Sequence, residues 1–139
     1  MDTFYLEILS PERTFYAGEC LSLVIPISDG MVGIMAHHTP LTAALCDGEV
    51  NITKPDGEKI ICAVTRGMAD VTDNKVVVLC ESALYPDEID AEKERRELEE
   101  AQLMLKTKQS EKEYMLWQLS LNKAINRLKV KNKDSNINL

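Results

Sequence analysis

No stretch of eighteen consecutive apolar residues occurs among the 139 residues of this chain, so none has the length and hydrophobicity of a membrane-crossing helix. The opening residues Met1 to Glu7 lack the basic start and apolar run of a secretion signal. Aromatic residues make up only 5% and the formal net charge is -7, which disfavours a general nucleic-acid binder, since that role needs a basic surface. Histidine occurs twice, as His37-His38, and neighbours on an extended segment point to opposite sides, a poor geometry for chelating a metal. The four cysteines, Cys20, Cys46, Cys62 and Cys80, form no C-x-x-C pair. Three lie in apolar, strand-like stretches where a reduced thiol acts as a small hydrophobe. They predict free thiols, a reducing compartment and a soluble cytoplasmic protein. Also missing are H-E-x-x-H, G-x-x-x-x-G-K-[ST], G-x-G-x-x-G and any Ser/His/Asp order, which argues against an enzyme.

Apolar residues instead recur at period two from Thr3 to Glu81, in short runs broken by turn residues, as in a mainly antiparallel β domain. Phe4, Leu6 and Ile8 share one face; Thr14-Phe15-Tyr16 opens a second strand, and Leu21, Leu23 and Ile25 mark a third. Ser28-Asp29-Gly30 and Gly33 read as a glycine-spaced turn. Val50 and Ile52 lead through the Lys54-Pro55-Asp56-Gly57 turn to a return strand from Lys59 to Thr65. Met68 to Thr72 and Lys75 to Glu81 form a hairpin across Asp73-Asn74, with Val76-Val77-Val78-Leu79 reading as buried on both faces. Eight to ten strands at this spacing predict a sandwich or flattened barrel.

The pattern changes at Tyr85-Pro86-Asp87, and from Ala91 onward the chain has neither Gly nor Pro. Asp90 suits an N-cap for a helix from about Ala91 to Lys106, with Ala91, Leu98, Ala101 and Leu105 on one face. Ser110 and Glu113 fit a capping box opening a second helix, whose stripe is Tyr114, Trp117, Leu121, Ala124, Ile125 and Leu128, with a fraying tail from Lys129. The predicted fold is an N-terminal antiparallel β-sandwich over residues 1–86, then a C-terminal two-helix antiparallel hairpin over 87–139. Helices of this length are marginal alone, so the hairpin is the natural movable element. Charge is uneven: residues 1–86 and 87–100 are net acidic, while 101–139 carry eight basic and three acidic residues. The basic end could meet an acidic surface.

The segment Ser28-Asp29-Gly30-Met31-Val32-Gly33-Ile34-Met35-Ala36-His37-His38-Thr39-Pro40-Leu41-Thr42-Ala43-Ala44-Leu45 resembles the G-x-x-G-I-x-x-x-H-x-P-L-x-x-x-L stretch of bacterial F-type ATP synthase epsilon subunits. The likeness extends through Leu6 to Glu12, Gly67, Val76 to Glu81, Ile89-Asp90 and Lys123 to Leu128. It implies a non-catalytic subunit of the central stalk at the cytoplasmic face of the cell membrane. Such a subunit binds the gamma subunit, touches the ring of c subunits and couples the two. The hairpin, when extended, would meet the catalytic beta and alpha subunits and inhibit ATP hydrolysis.

Carried over to this chain, the ring-facing loop is Gly30, Met31, Val32 and Gly33, with His38, Pro40 and Leu41 on the adjoining surface. Met31 stands where many relatives have an acidic residue, and Ala36-His37 where Pro-Gly is common. No cofactor is required, but some relatives bind regulatory ATP through an I/L-D-x-x-R-A motif and basic residues of the second helix. Here that motif reads Ile89-Asp90-Ala91-Glu92-Lys93-Glu94, which leaves Ile89, Asp90, Lys93, Lys123 and Arg127 as candidate contacts. Lysine lacks the planar fork of arginine, and Glu94 adds a carboxylate beside the phosphates. Inhibitory contacts are implied for Lys123, Arg127 and Lys129.

Two readings from other classes compete. A carbohydrate- or peptide-binding sandwich with a dimerising coiled coil is disfavoured, because Leu98, Ala101 and Leu105 sustain barely two heptads. An enzyme would need a site around His38 and Asp47.

Overall fold

The computed structural model describes residues 1–137, with side chains through residue 133. The chain divides into two compact units, Met1–Tyr85 and Pro86–Leu139.

The first unit contains β1 (Phe4–Leu9), β2 (Thr14–Cys20), β3 (Ser22–Ile27), β4 (Gly30–Met35), β5 (Leu41–Leu45), β6 (Gly48–Thr53), β7 (Lys59–Thr72) and β8 (Lys75–Leu84). The strand order is β2-β1-β8-β7-β5-β3-β4, and β6 bridges β3 and β7. Every pairing is antiparallel except β1 with β8. The 14-residue β7 closes the structure, because Lys59–Val64 pairs with β6 while Gly67–Val71 pairs with β5. One continuous strand thus serves both layers of the β-sandwich, where two separate strands are expected from the sequence.

Two other expectations are corrected in this unit. Gly30 and Gly33 belong to β4, which pairs along its whole length with β3; the turn proper is Ser28-Asp29. In β8, Val76 and Val78 are buried, Val77 is half-buried and Leu79 is 52% exposed, so only one face is covered. Continuous hydrophobicity here marks an antiparallel strand with an apolar outer face, a case that periodicity alone does not separate from a doubly buried strand.

The core is built by alternation. Phe4, Leu6 and Ile8 of β1 meet Leu23 and Ile25 of β3, Val50 and Ile52 of β6, Cys62 and Val64 of β7, and Val76 and Val78 of β8 in one buried cluster. Full burial of each large aliphatic side chain contributes about 1.5–3 kcal/mol. Truncating Leu23, which is 0% exposed, to alanine costs about 2–5 kcal/mol because a cavity remains. Cys20, Cys62 and Cys80 are buried free thiols, and Cys46 is half-buried and also free.

The second unit opens with a single 3-10 turn at Pro86–Glu88, followed by α1 (Ala91–Leu105) and α2 (Glu111–Ile137). The Asp90 carboxylate caps α1 by accepting from the amides of Glu92 and Lys93 at 3.1 and 3.2 Å. At α2 only half of the capping box forms. The Glu113 amide donates to Ser110 Oγ at 3.2 Å, while the Glu113 carboxylate accepts from the Ser110 hydroxyl at 3.0 Å rather than from its amide. Arg127, late in α2, meets Glu94, early in α1, and Lys131 donates to the Pro86 carbonyl at 3.0 Å, so the helices run antiparallel. Ala101, Ala124 and Val130 are buried. Tyr114, placed in the buried stripe by its spacing, is 49% exposed beside exposed Met115 and Leu116. The tail expected to fray from Lys129 continues α2 to Ile137. Val130 is buried within that last stretch, an anchor that outweighs its polar neighbours.

Candidate functional site

On the outer face of β1, β8, β7 and β5, register places Leu9 beside Leu79, Leu79 beside Met68, and Met68 beside Ala44. Directly paired residues project from the same face, so these four form one apolar row across four strands. Met68 is 47% and Leu79 52% exposed. Ala44, Met68 and Leu79 of this row, with Pro11, Arg66, Gly67 and Glu81, line a shallow groove of about 490 Å³. Exposed thioether and leucine side chains of this kind are adaptable contact surface.

Gly67 makes this face possible. A Cβ there would lie 1.8 Å from the Leu79 carbonyl oxygen, so only glycine lets β7 approach β8 at the point where it crosses between layers. Beside it Arg66 is fixed in place: its amide donates to Asp47 Oδ1 at 2.8 Å, and its guanidinium reaches Asp47 at 3.4 Å and Glu81 at 3.4 Å. Further along the same face the surface turns polar. Thr42 donates to Asp70 at 2.9 Å, and Lys75 pairs with Glu7 at 3.2 Å while lying over the Tyr5 ring. The face therefore grades from apolar near Gly67 to charged near Asn74.

The residues expected at the ring-facing surface fall at opposite ends of the sandwich. Ile27 pairs with both Gly30 and Leu45, and Leu45 pairs with Gly67, so the Ser28-Asp29 turn and Met31 lie at the Gly67 end. Met31 is 54% exposed and Gly30 and Gly33 are open, whereas Val32 packs against the core. Leu41 pairs with Val71 near the other end and also packs against the core; Pro40 beside it is exposed. His38 is half-buried there with Nδ1 2.7 Å from the Thr39 carbonyl oxygen, and His37 is held by Asn74. The two histidine rings find different partners, His37 meeting Asp2 at 3.0 Å, and no cluster of metal-ligating groups exists among the described residues.

No nucleophile is activated near the groove. Burial pushes the Cys80 thiol up to about 11, so it stays neutral near pH 7, and Asp47 is committed to Arg66 rather than to His38.

In the hairpin, Asp90 is exposed and its carboxylate is used as the cap of α1; Ile89 is buried and Lys93 exposed. Lys123 and Arg127 lie one turn apart on α2. Arg127 Nη1 donates to Glu94 Oε1 at 2.9 Å, with the two side chains 13% and 4% exposed. Glu94 Oε2 is buried with no hydrogen-bond partner among the described residues. The Arg127 guanidinium thus already donates to a carboxylate within the hairpin. Lys129 is exposed.

Periodicity does not single out Met68 and Leu79. Reading Val76, Val78 and Cys80 as the inward set would have turned Val77 and Leu79 outward, the one signal available for this face.

Residues 3–86 match the family model described as the ATP synthase delta/epsilon chain β-sandwich domain, and residues 87–132 the long α-helix domain of the same chains. An ATP synthase epsilon chain from Ruminiclostridium cellulolyticum is 37% identical over 133 residues, covering 96% of this chain and 98% of that protein. One from Persephonella marina is 39% identical over 105 residues, covering 76% and 77%. Among solved structures, a chain of the Euglena gracilis mitochondrial ATP synthase, described as OSCP/F1/c-ring, superposes with a TM-score of 0.79 at 21% identity, covering 89% of this chain and 78% of its own. A chain from the Tetrahymena thermophila enzyme, described as central stalk/c-ring, gives 0.70 at 10% identity, covering 91% and 95%. These two similarities show the fold.

Proposed function

The chain belongs to the ATP synthase epsilon chain family, and on that premise we propose that it is a non-catalytic rotor subunit that seats the gamma subunit on the Leu9–Leu79–Met68–Ala44 row. The observation that carries this reading is the row itself. Four apolar side chains aligned across four strands, two of them about half exposed, need a partner surface, and the fixed Arg66 beside them supplies an oriented charge at the rim. The c ring meets the same end of the sandwich, at the Ser28-Asp29 turn and Met31. There an exposed thioether provides apolar packing. The two structural neighbours come from assemblies described as OSCP/F1/c-ring and central stalk/c-ring, which supports a place in such a complex. No described helix is long and apolar enough to cross a membrane, so association with the membrane runs through the complex. The hairpin supplies restraint of ATP hydrolysis, with the basic side of α2 meeting an acidic surface of the catalytic subunits. A hydrolytic site of its own has no support, as the Cys80 thiol is kept neutral and Asp47 is tied up.

The test is reconstitution with gamma. Met68→Glu with Leu79→Glu should abolish co-elution of the two subunits by burying two charges in the interface, with the far-ultraviolet spectrum unchanged. Met31→Lys should leave gamma binding intact and lower coupled proton pumping. Full gamma binding by the Met68/Leu79 double variant would reject the row as the seat.

A further inference from the structure

We infer that Glu94 is a built-in anion, holding Arg127 in the place of a nucleotide phosphate and closing the hairpin without ATP. The observation is the buried pair itself. Glu94 and Arg127 stand 33 positions apart, meet at 2.9 Å, and are 4% and 13% exposed, so neither is a solvated surface charge. Such a pair is weak evidence for net stability, yet removing one partner leaves a buried charge uncompensated and is strongly destabilising. It therefore acts as a requirement that both helices be in register. Glu94 Oε2 is buried with no hydrogen-bond partner among the described residues, so the bond from Arg127 to Oε1 carries the compensation of this charge.

The same geometry opposes nucleotide binding. A phosphate approaching Arg127 would displace or face the Glu94 carboxylate, and two anions at hydrogen-bond distance from one cation in a poorly solvated site repel strongly. Asp90 adds a further exposed carboxylate at the start of α1, already used for its cap. Lys93 and Lys123 contribute point charges without the fork that binds phosphate oxygens in pairs. The hairpin of this chain thus carries its closing anion as a side chain, and its state does not report ATP concentration. This inference concerns α1 and α2 alone and stands apart from which partner the sandwich docks.

The test is amide hydrogen exchange on the full chain with and without magnesium ATP, with the strands of the β-sandwich as internal control for folding. The wild-type helices should exchange at the same rates in both conditions. Glu94→Ala should speed exchange in α1 and α2 by at least about tenfold, and ATP should restore protection by supplying the missing anion. Arg127→Ala should loosen the helices further, by about a hundredfold, with no rescue by ATP, since it strands the buried carboxylate and removes the cation. The exchanged pair, Glu94→Arg with Arg127→Glu, should recover protection without nucleotide, which separates pairing from mere damage to packing. Protection of the wild-type hairpin by ATP would overturn the inference. So would unaltered exchange in Glu94→Ala, or failure of ATP to rescue it.

Discussion

The backbone amide of His37 donates a 2.8 Å hydrogen bond to Oδ1 of Asn74, a residue 37 positions further on. Asn74 is the second residue of the β7–β8 turn, where Asp73 and Asn74 both adopt left-handed conformations, with φ of 49° and 61°. Its Nδ2 donates to the Thr3 carbonyl at 2.9 Å, and its own carbonyl accepts from Tyr5 at 3.2 Å. One turn asparagine thereby ties together the start of β1, the hairpin and the loop between β4 and β5. His37 is itself held at φ 65°, a conformation that the bond to Asn74 helps to fix.

Asn74→Ala should therefore lose the side-chain bonds, about 1–3 kcal/mol, and in addition force alanine into the left-handed region, about 1–2 kcal/mol. Asn74→Gly keeps the turn conformation and should lose only the first part. Urea unfolding of both variants measures the difference. Equal stability of the two would show that the backbone conformation contributes nothing.

Gly67→Ala should destabilise the sandwich by more than about 4 kcal/mol, because the new methyl group would meet backbone and not a movable side chain. Gly18→Ala, with nothing within 4 Å of its Cβ, should change stability by under about 1 kcal/mol. Thermal melting of the pair checks both. A folded Gly67→Ala variant with an unchanged midpoint would mean that β7 and β8 can part without cost.

The hairpin turn at Asp73-Asn74 and the cap at Asp90 were legible because each rests on local chemistry: a left-handed turn, and a carboxylate beside free amides. β4 was not, since Gly30 and Gly33 are turn residues by propensity, and only pairing with Ser22–Ile27 makes them a strand. The exposure of Leu79 was hidden for a related reason: an apolar run does not state which of its faces is covered. For Arg127, a candidate nucleotide contact from the sequence, the partner in the hairpin lies on the other helix, 33 positions away, where spacing carries no information.

Stability should fall as pH rises above 9. Burial raises the thiols of Cys20 and Cys80 to about 11 from an ordinary value of 9.0, and Cys62 is pushed up further, also by burial. The folded state therefore retains protons that the unfolded chain releases between about pH 9 and 11. The contribution is complete below pH 9 and is lost as pH passes through the folded values, with a slope of up to about 1.4 kcal/mol per pH unit for each thiol. Urea midpoints at pH 8, 9 and 10 read this slope. Cys62→Ala should reduce it by one thiol's share, and an unchanged slope in that variant would mean that Cys62 contributes nothing to the alkaline loss.

The ion pair with Glu94 changes which cations of α2 are available to restrain hydrolysis. Arg127 is engaged inside the hairpin, so its replacement would confound loss of an external contact with loss of helix register. Lys129 is exposed and Lys123 half-buried, and these two test the external contact more cleanly. Each exposed ion pair is worth about 0.2–1 kcal/mol, so the double variant Lys123→Ala, Lys129→Ala should raise ATP hydrolysis by the assembled enzyme only a few-fold, with synthesis near normal. The gain should shrink at high salt, where the wild-type contacts are screened as well. Deleting residues 87–139 removes every contact of the hairpin and should raise hydrolysis more than the double variant does. Unchanged hydrolysis in the deletion, at low and moderate salt alike, would leave the sandwich and its apolar row as the whole of the function.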